Sequence, residues 1–156
     1  MSGVRGYKSP LPYEETRIGA AAVYCSDGRI GEHIDDFLHK GLNLPRYDRL
    51  ACPGGPACMA GRVDAWWEGV ALEKQLRFLS TVHQLEHLIL IAHQSCAFYV
   101  QHLSVQPHRV EQEQLGDLAR AVEAALRIKS DLAVHTFFSR MIGASIRFEL
   151  VSSTSK

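Results

Sequence analysis

Ile18-Gly19-Ala20-Ala21-Ala22-Val23-Tyr24-Cys25, followed at once by Ser26-Asp27-Gly28-Arg29, decides how this chain is read. The run is apolar and far too short to cross a bilayer. It does not alternate, so it reads as a strand, Arg17 to Cys25, covered on both faces, as strands of a parallel sheet are. A second run of the same kind, Leu88-Ile89-Leu90-Ile91-Ala92, ends in His93-Gln94-Ser95-Cys96. In open α/β sheets, ligands bind beyond the carboxyl ends of the strands, where the winding direction reverses. If the two strands are neighbours, both polar clusters arrive at that crevice.

Outward from these strands the signals alternate. A helix follows the first strand, with Ile30, Ile34, Phe37 and Leu38 on one face. Tyr47 to Cys52 reads as a short strand stopped by Pro53-Gly54-Gly55-Pro56. Asp64 to about Val82 reads as a long helix carrying Trp67, Val70, Leu76 and Leu79. One of the adjacent Trp66 and Trp67 is expected in the core, and the other partly buried or at a subunit interface. Pro107 separates a short helical piece, Phe98 to Leu103, from a helix over Val110 to Ile128. Leu115, Leu118, Ala119, Val122, Ala125 and Leu126 form the apolar stripe of that helix. Ala133 to Ser139 and Ser145 to Val151 read as a hairpin about Gly143, with Ile146, Phe148 and Leu150 alternating with polar residues. Alternating strands and helices predict an α/β fold with a mainly parallel sheet.

The chain has 156 residues, a length that favours one domain with a real core. Seventeen Lys and Arg balance seventeen Asp and Glu, so no general field draws the protein to nucleic acid or anionic lipid. Met1 to Thr16 carries Pro10, Pro12, Glu14 and Glu15, which is not the basic-then-apolar pattern of a signal peptide. A reducing cytoplasmic setting is therefore expected, where cysteines are thiols or metal ligands more often than disulfides.

Cys25, His93 and Cys96 together offer two soft sulfurs and an imidazole nitrogen, a donor set suited to tetrahedral zinc. Three protein ligands leave a fourth position for water, the arrangement of a catalytic rather than a closed structural zinc. Asp27 is close enough in sequence to fill or border that position, and Arg29 can hold its carboxylate with a bidentate fork.

Cys25-x-Asp27-x-Arg29 with His93-x-x-Cys96, each after an apolar strand, resembles the β-class carbonic anhydrases. The resemblance covers roughly Arg17 to Val151. It implies four parallel strands in the order 2-1-3-4, a final antiparallel strand, and helices on both faces. Outside that stretch, residues 1–16 with Pro10 and Pro12 read as an extended arm and residues 152–156 as a polar tail, and the resemblance implies a zinc domain over 17–151. The expected activity is reversible hydration of carbon dioxide to bicarbonate. Cys25, His93 and Cys96 would be the zinc ligands, and Asp27 and Arg29 the catalytic dyad. Zinc brings the pKa of a bound water to about 7. Asp27 would orient the resulting hydroxide, while Arg29 keeps the carboxylate ionised. A homo-oligomer, a dimer or a higher even assembly, is also implied, while the balanced charge and short apolar runs lead us to expect no nucleic-acid or membrane partner. Ala97 and Phe98 stand where members often have two glycines, and Cys52 to Cys58 replaces a differently composed loop. Those departures motivate a related zinc hydrolase of carbon disulfide or carbonyl sulfide as an alternative, or a non-catalytic zinc-binding homologue.

Two further motifs carry chemistry of their own. Cys52 and Cys58 flank the Pro-Gly-Gly-Pro loop and read as loop and core thiols, a redox pair or a second metal site. His83-Gln84-Leu85-Glu86-His87 has the spacing of one class of zinc protease, which needs both histidines on one helix. The strand starting at Leu88 predicts that the helix ends among these residues. No nucleotide-binding glycine motif occurs.

Overall fold

The computed structural model describes residues 6–16 and 18–154. The first five residues of the expected arm, Arg17 at the head of the first expected strand, and residues 155–156 of the expected tail lie outside the described residues.

Five strands form one sheet: β1 (Ala20–Cys25), β2 (Asp48–Cys52), β3 (His87–His93), β4 (Ala133–Ile142) and β5 (Ser145–Ser153). Their order is β2-β1-β3-β4-β5. The first four are parallel, and β5 returns antiparallel to β4. This is the α/β sheet expected from the sequence. β1 is buried along its whole length because both of its faces are covered. On one face, Ala21, Val23, Leu88, Leu90 and Phe138 pack under α2 (Trp66–Val82) and α3 (Val110–Ile128). On the other, Ala22, Tyr24, Ile89 and Ile91 pack under α1 (Gly31–Asp36) and the π-helical turn Phe37–Gly41. Alternate residues of one strand thus serve two cores, which is why an unbroken apolar run was needed. A third cluster caps the carboxyl end of the sheet and includes Cys25, Cys96, Tyr99 and Val110.

Several expectations need correction. Neither tryptophan is core: Trp66 is 60% and Trp67 79% exposed. α2 buries Leu72 and Leu76, and Ala65 just before it shares that face. At about 100° per residue, positions 66 and 67 rotate away from the sheet. Val70 is only half-buried for a similar reason. On α3 the buried face is turned from the apolar stripe by about a residue. It presents Gln114, Asp117, Leu118, Ala121 and Ala125, while Ala119 is exposed. Ser152 and Ser153, read as the start of a tail, belong to β5, where the Ser152 carbonyl and hydroxyl lie against the Thr136 hydroxyl. β4 extends to Ile142, so Gly143 at φ +60° sits in a tight turn. No helix of the described residues is long and apolar enough to cross a membrane.

Leu90→Ala, in the fully buried centre of β3, is expected to cost about 3 kcal/mol in urea unfolding. Lys74→Ala, on the exposed face of α2, is expected to stay within about 0.5 kcal/mol of the parent chain. Equal losses from the two would contradict this division of core and surface.

Candidate metal centre

β1 and β3 are neighbours, with Tyr24 opposite Ile91, so Cys25 and His93 emerge at the same end of adjacent strands. The chain then turns through Gln94 and Ser95, and Ser95 takes a left-handed φ of +59°. That reversal carries Cys96 back beneath the strand end. The structure brings Cys25, His93 and Cys96 together, each buried, with their donor atoms all within 4.8 Å of one another. Cys96 donates its S–H to Cys25 Sγ across 3.9 Å. That bond draws the Cys25 thiol down to about 4, against the opposing effect of burial, with His93 adding to the lowering. Cys96 is pushed up in turn, first by its bond to Cys25 and then by burial.

The tautomer of His93 is set by one of its ring nitrogens. His93 Nδ1 lies 2.9 Å from the carbonyl oxygen of Gln94. A carbonyl only accepts, so Nδ1 carries the proton and Nε2 keeps its lone pair. Nε2 is buried and has no hydrogen-bond partner. A buried lone pair left without a donor is costly, and a cation beside two thiols would satisfy it. The donor set and the unpartnered nitrogen therefore fit zinc.

Asp27 and Arg29 lie just beyond the strand end and are joined to each other. Arg29 Nε donates to Asp27 Oδ1 at 3.0 Å and Oδ2 at 3.1 Å, and Nη2 donates to Oδ2 at 2.6 Å. The Arg29 backbone N–H adds a bond to Oδ1 at 3.0 Å. The Arg29 side-chain bonds, then the backbone bond, hold the Asp27 carboxyl down to about 2. Asp27 is thus tied to the guanidinium and is not one of the three clustered donors. Cys25, Ser26 and Asp27 form one side of an open cleft whose other walls are Pro53, Ala97, Phe98, Gln101 and His102.

The loop and the turn after Cys96 set the shape of this cleft. Gly54 lies so close to Phe98 that a Cβ there would sit 2.3 Å from Phe98 Cδ1. Gly55 rests directly on the backbone of Tyr24 and Cys25. Phe98 stacks on His102, whose Nε2 bonds the Asp64 carbonyl at 2.8 Å. Behind the centre, Gln114 Nε2 donates to the His93 carbonyl at 2.9 Å. Asp117 is fully buried and accepts from Tyr99 Oη and Arg62 Nε, each at 2.6 Å, and from Arg120 at 2.5 Å. Burial, then the Asp117 charge, pushes the Tyr99 phenol well up, so it remains a donor. This network pins the turn Phe98–His102 to α3.

Sequence reasoning missed Gln114, Asp117 and Tyr99 as supports, and Gln101 and His102 as cleft walls. Two polar residues on the otherwise apolar inner face of α3 were the available signal for the first pair. The protease-like spacing does not form a site. α2 ends at Val82, His83 Nδ1 lies 2.5 Å from Asp48 Oδ2, and His87 is already in β3 beside His135. Cys52 and Cys58 stay outside the three-donor cluster, with their sulfurs 3.8 Å apart.

No protein-family model matches the chain, and no curated protein does. Among the solved structures similar to it are two carbonic anhydrases. One is the β-carbonic anhydrase CafA of the fungal pathogen Aspergillus fumigatus, at 15% identity and a TM-score of 0.49, covering 84% of this chain and 74% of that one. The other comes from a study of two tetrameric β-carbonic anhydrases of the filamentous ascomycete Sordaria macrospora. It matches at 15% identity and a TM-score of 0.45, covering 88% of this chain and 82% of that one. Likeness at this level says nothing of activity; the sheet order stands on the strand pairing of this chain, and the chemistry on its own side chains.

Proposed function

We propose that this protein is a zinc-dependent enzyme that interconverts carbon dioxide and bicarbonate. The observation that carries the reading is the buried cluster of Cys25, His93 and Cys96, with the His93 Nε2 lone pair unpartnered. These three residues would hold zinc. Zinc held there supplies the Lewis acidity that lets a water lose its proton near neutral pH.

The remaining work falls to the chain. Asp27 is ionised across the physiological range, as an ordinary aspartate is, and Arg29 extends that well into acid by drawing its carboxyl down to about 2. An ionised carboxylate accepts a hydrogen bond from the attacking water and so aims the oxygen lone pair at the carbon. Arg29 keeps that carboxylate in one orientation and turned toward the cleft rather than free to swing. Pro53, Ala97 and Phe98 give the cleft an apolar wall suited to a small uncharged gas. The same wall favours a second reading, hydrolysis of carbon disulfide or carbonyl sulfide, which share the linear shape of carbon dioxide. An even homo-oligomer belongs to this reading and is supported by the exposed pair Trp66 and Trp67, a residue type enriched at interfaces. A reducing cytoplasmic setting belongs to it too, since it keeps Cys25 and Cys96 as thiols.

His93→Ala is expected to leave the purified chain without bound zinc, measured by elemental mass spectrometry. Asp27→Asn is expected to retain one zinc per chain and lose about a hundredfold in turnover, followed by oxygen-isotope exchange between carbon dioxide and water. Full zinc occupancy in His93→Ala would overturn the ligand set. An active, zinc-loaded Asp27→Asn would remove the carboxylate from the mechanism. Activity toward carbon disulfide but not carbon dioxide would select the second reading.

Stripping the metal with a chelator is expected to make Cys25 and Cys96 titrate with a thiol reagent. Adding zinc back is expected to protect them again. Reactivity of both thiols unchanged by zinc would place the metal elsewhere.

A further inference from the structure

Cys52 closes β2 and Cys58 lies in the 3-10 turn Gly55–Met59, with the loop Pro53–Ala57 between them. Gly54 and Gly55 adopt φ of +79° and +52°, and this left-handed pair folds the loop back so that its ends meet. The two sulfurs are 3.8 Å apart and both thiols are free. Cys58 is 2% exposed and donates to the Pro53 carbonyl at 3.3 Å, whereas Cys52 is partly open to solvent. Among the described residues, no His, Asp, Glu or further Cys joins the pair in a ligand-sized cluster. A second metal site therefore has too few donors, and a redox pair is what the geometry favours.

We propose that Cys52 and Cys58 form a reversible dithiol–disulfide modification site that reacts with small-molecule disulfides of the glutathione type. Cys52, the less buried residue of the two, gives its proton to solvent and attacks one sulfur of the small disulfide. That bond breaks, and the first small thiolate leaves and takes up a proton. Cys58 then gives up its proton and attacks Cys52 Sγ, expelling the second small thiolate, which is protonated in turn. Two protein thiols and one small disulfide become one protein disulfide and two small thiols. The second step is intramolecular, and the sulfurs need only close from 3.8 Å to about 2.05 Å. The frame is firm on both sides: Gly69 of α2 lies against the Cys58 carbonyl, and Gly55 rests on the Tyr24–Cys25 backbone. The modification therefore staples the base of the loop that bears on the candidate metal centre. It does not depend on what that centre catalyses.

The test uses the whole 156-residue chain, with zinc supplied, equilibrated with glutathione and its disulfide at stepped ratios, quenched with acid, alkylated and digested with trypsin. Cleavage after Arg49 and Arg62 gives a peptide, Leu50 to Arg62, that holds both cysteines and no other. That peptide is expected to escape alkylation, to weigh less by two hydrogens, and to return to the alkylated form after reduction. In Cys58→Ser the peptide is expected to stop at a single glutathione adduct on Cys52. Two alkylated thiols at the most oxidising ratio would overturn the proposal, as would two separate adducts or oxidation confined to Cys25 and Cys96. Because the readout is the mass of one peptide, failure of the carbon dioxide reading would leave this result standing.

Discussion

The parallel pairing of β1 with β3 is the constraint on which the rest depends. It sets Tyr24 beside Ile91 and so delivers Cys25 and His93 to the same edge of the sheet. Both strands are sealed under helices on each face, which fixes their register, because a slip by one residue would send every side chain to the opposite core. The donor atoms are thus placed by backbone hydrogen bonds and apolar packing deep in the fold. A site built on strand ends is held more firmly than one on free loops. Only Cys96 arrives by a turn, and the left-handed Ser95 makes that turn short.

Polar groups buried behind the centre complete the support. Gln114 reaches the His93 carbonyl, the Gln94 carbonyl fixes the tautomer of the ring, and Asp117 ties Tyr99 and Arg62 together. A buried carboxylate with three donors is tolerable where one with none is not. The inner face of α3 is therefore less apolar than a simple core helix. Its polar members are those that connect to the turn after Cys96.

The two apolar runs that became β1 and β3 were legible because a strand buried on both faces leaves no room for polar residues. The ends of α3 were legible too, at Val110 and Ile128, since Pro107 bounds one side and the helical period persists to the other. The helix faces were less so. Trp66 and Trp67 look like core residues by type, yet the sheet lies under Ala65, Leu72 and Leu76, and the tryptophans face away. Ala119 fits an apolar stripe by spacing, yet Asp117 and Gln114 take the buried positions because each finds a partner there. Periodicity reports which residues can be buried, but partners on other elements decide which are.

By itself the sequence determined the alternation of strands and helices, the two polar clusters that follow apolar strands, and a donor set of sulfur and imidazole suited to zinc. These follow from local properties: side-chain polarity, period and the chemistry of each ligand atom. Only the tertiary structure decided that the three donor atoms converge, that His93 Nε2 is the free nitrogen, and that Asp27 is bound to Arg29 rather than gathered into the cluster. It also decided that Cys52 and Cys58 face each other across a glycine turn. The reason is physical. Cys25 and Cys96 are 71 residues apart in the chain, and what brings them within contact is the pairing of strands and the packing between them, which no single segment encodes.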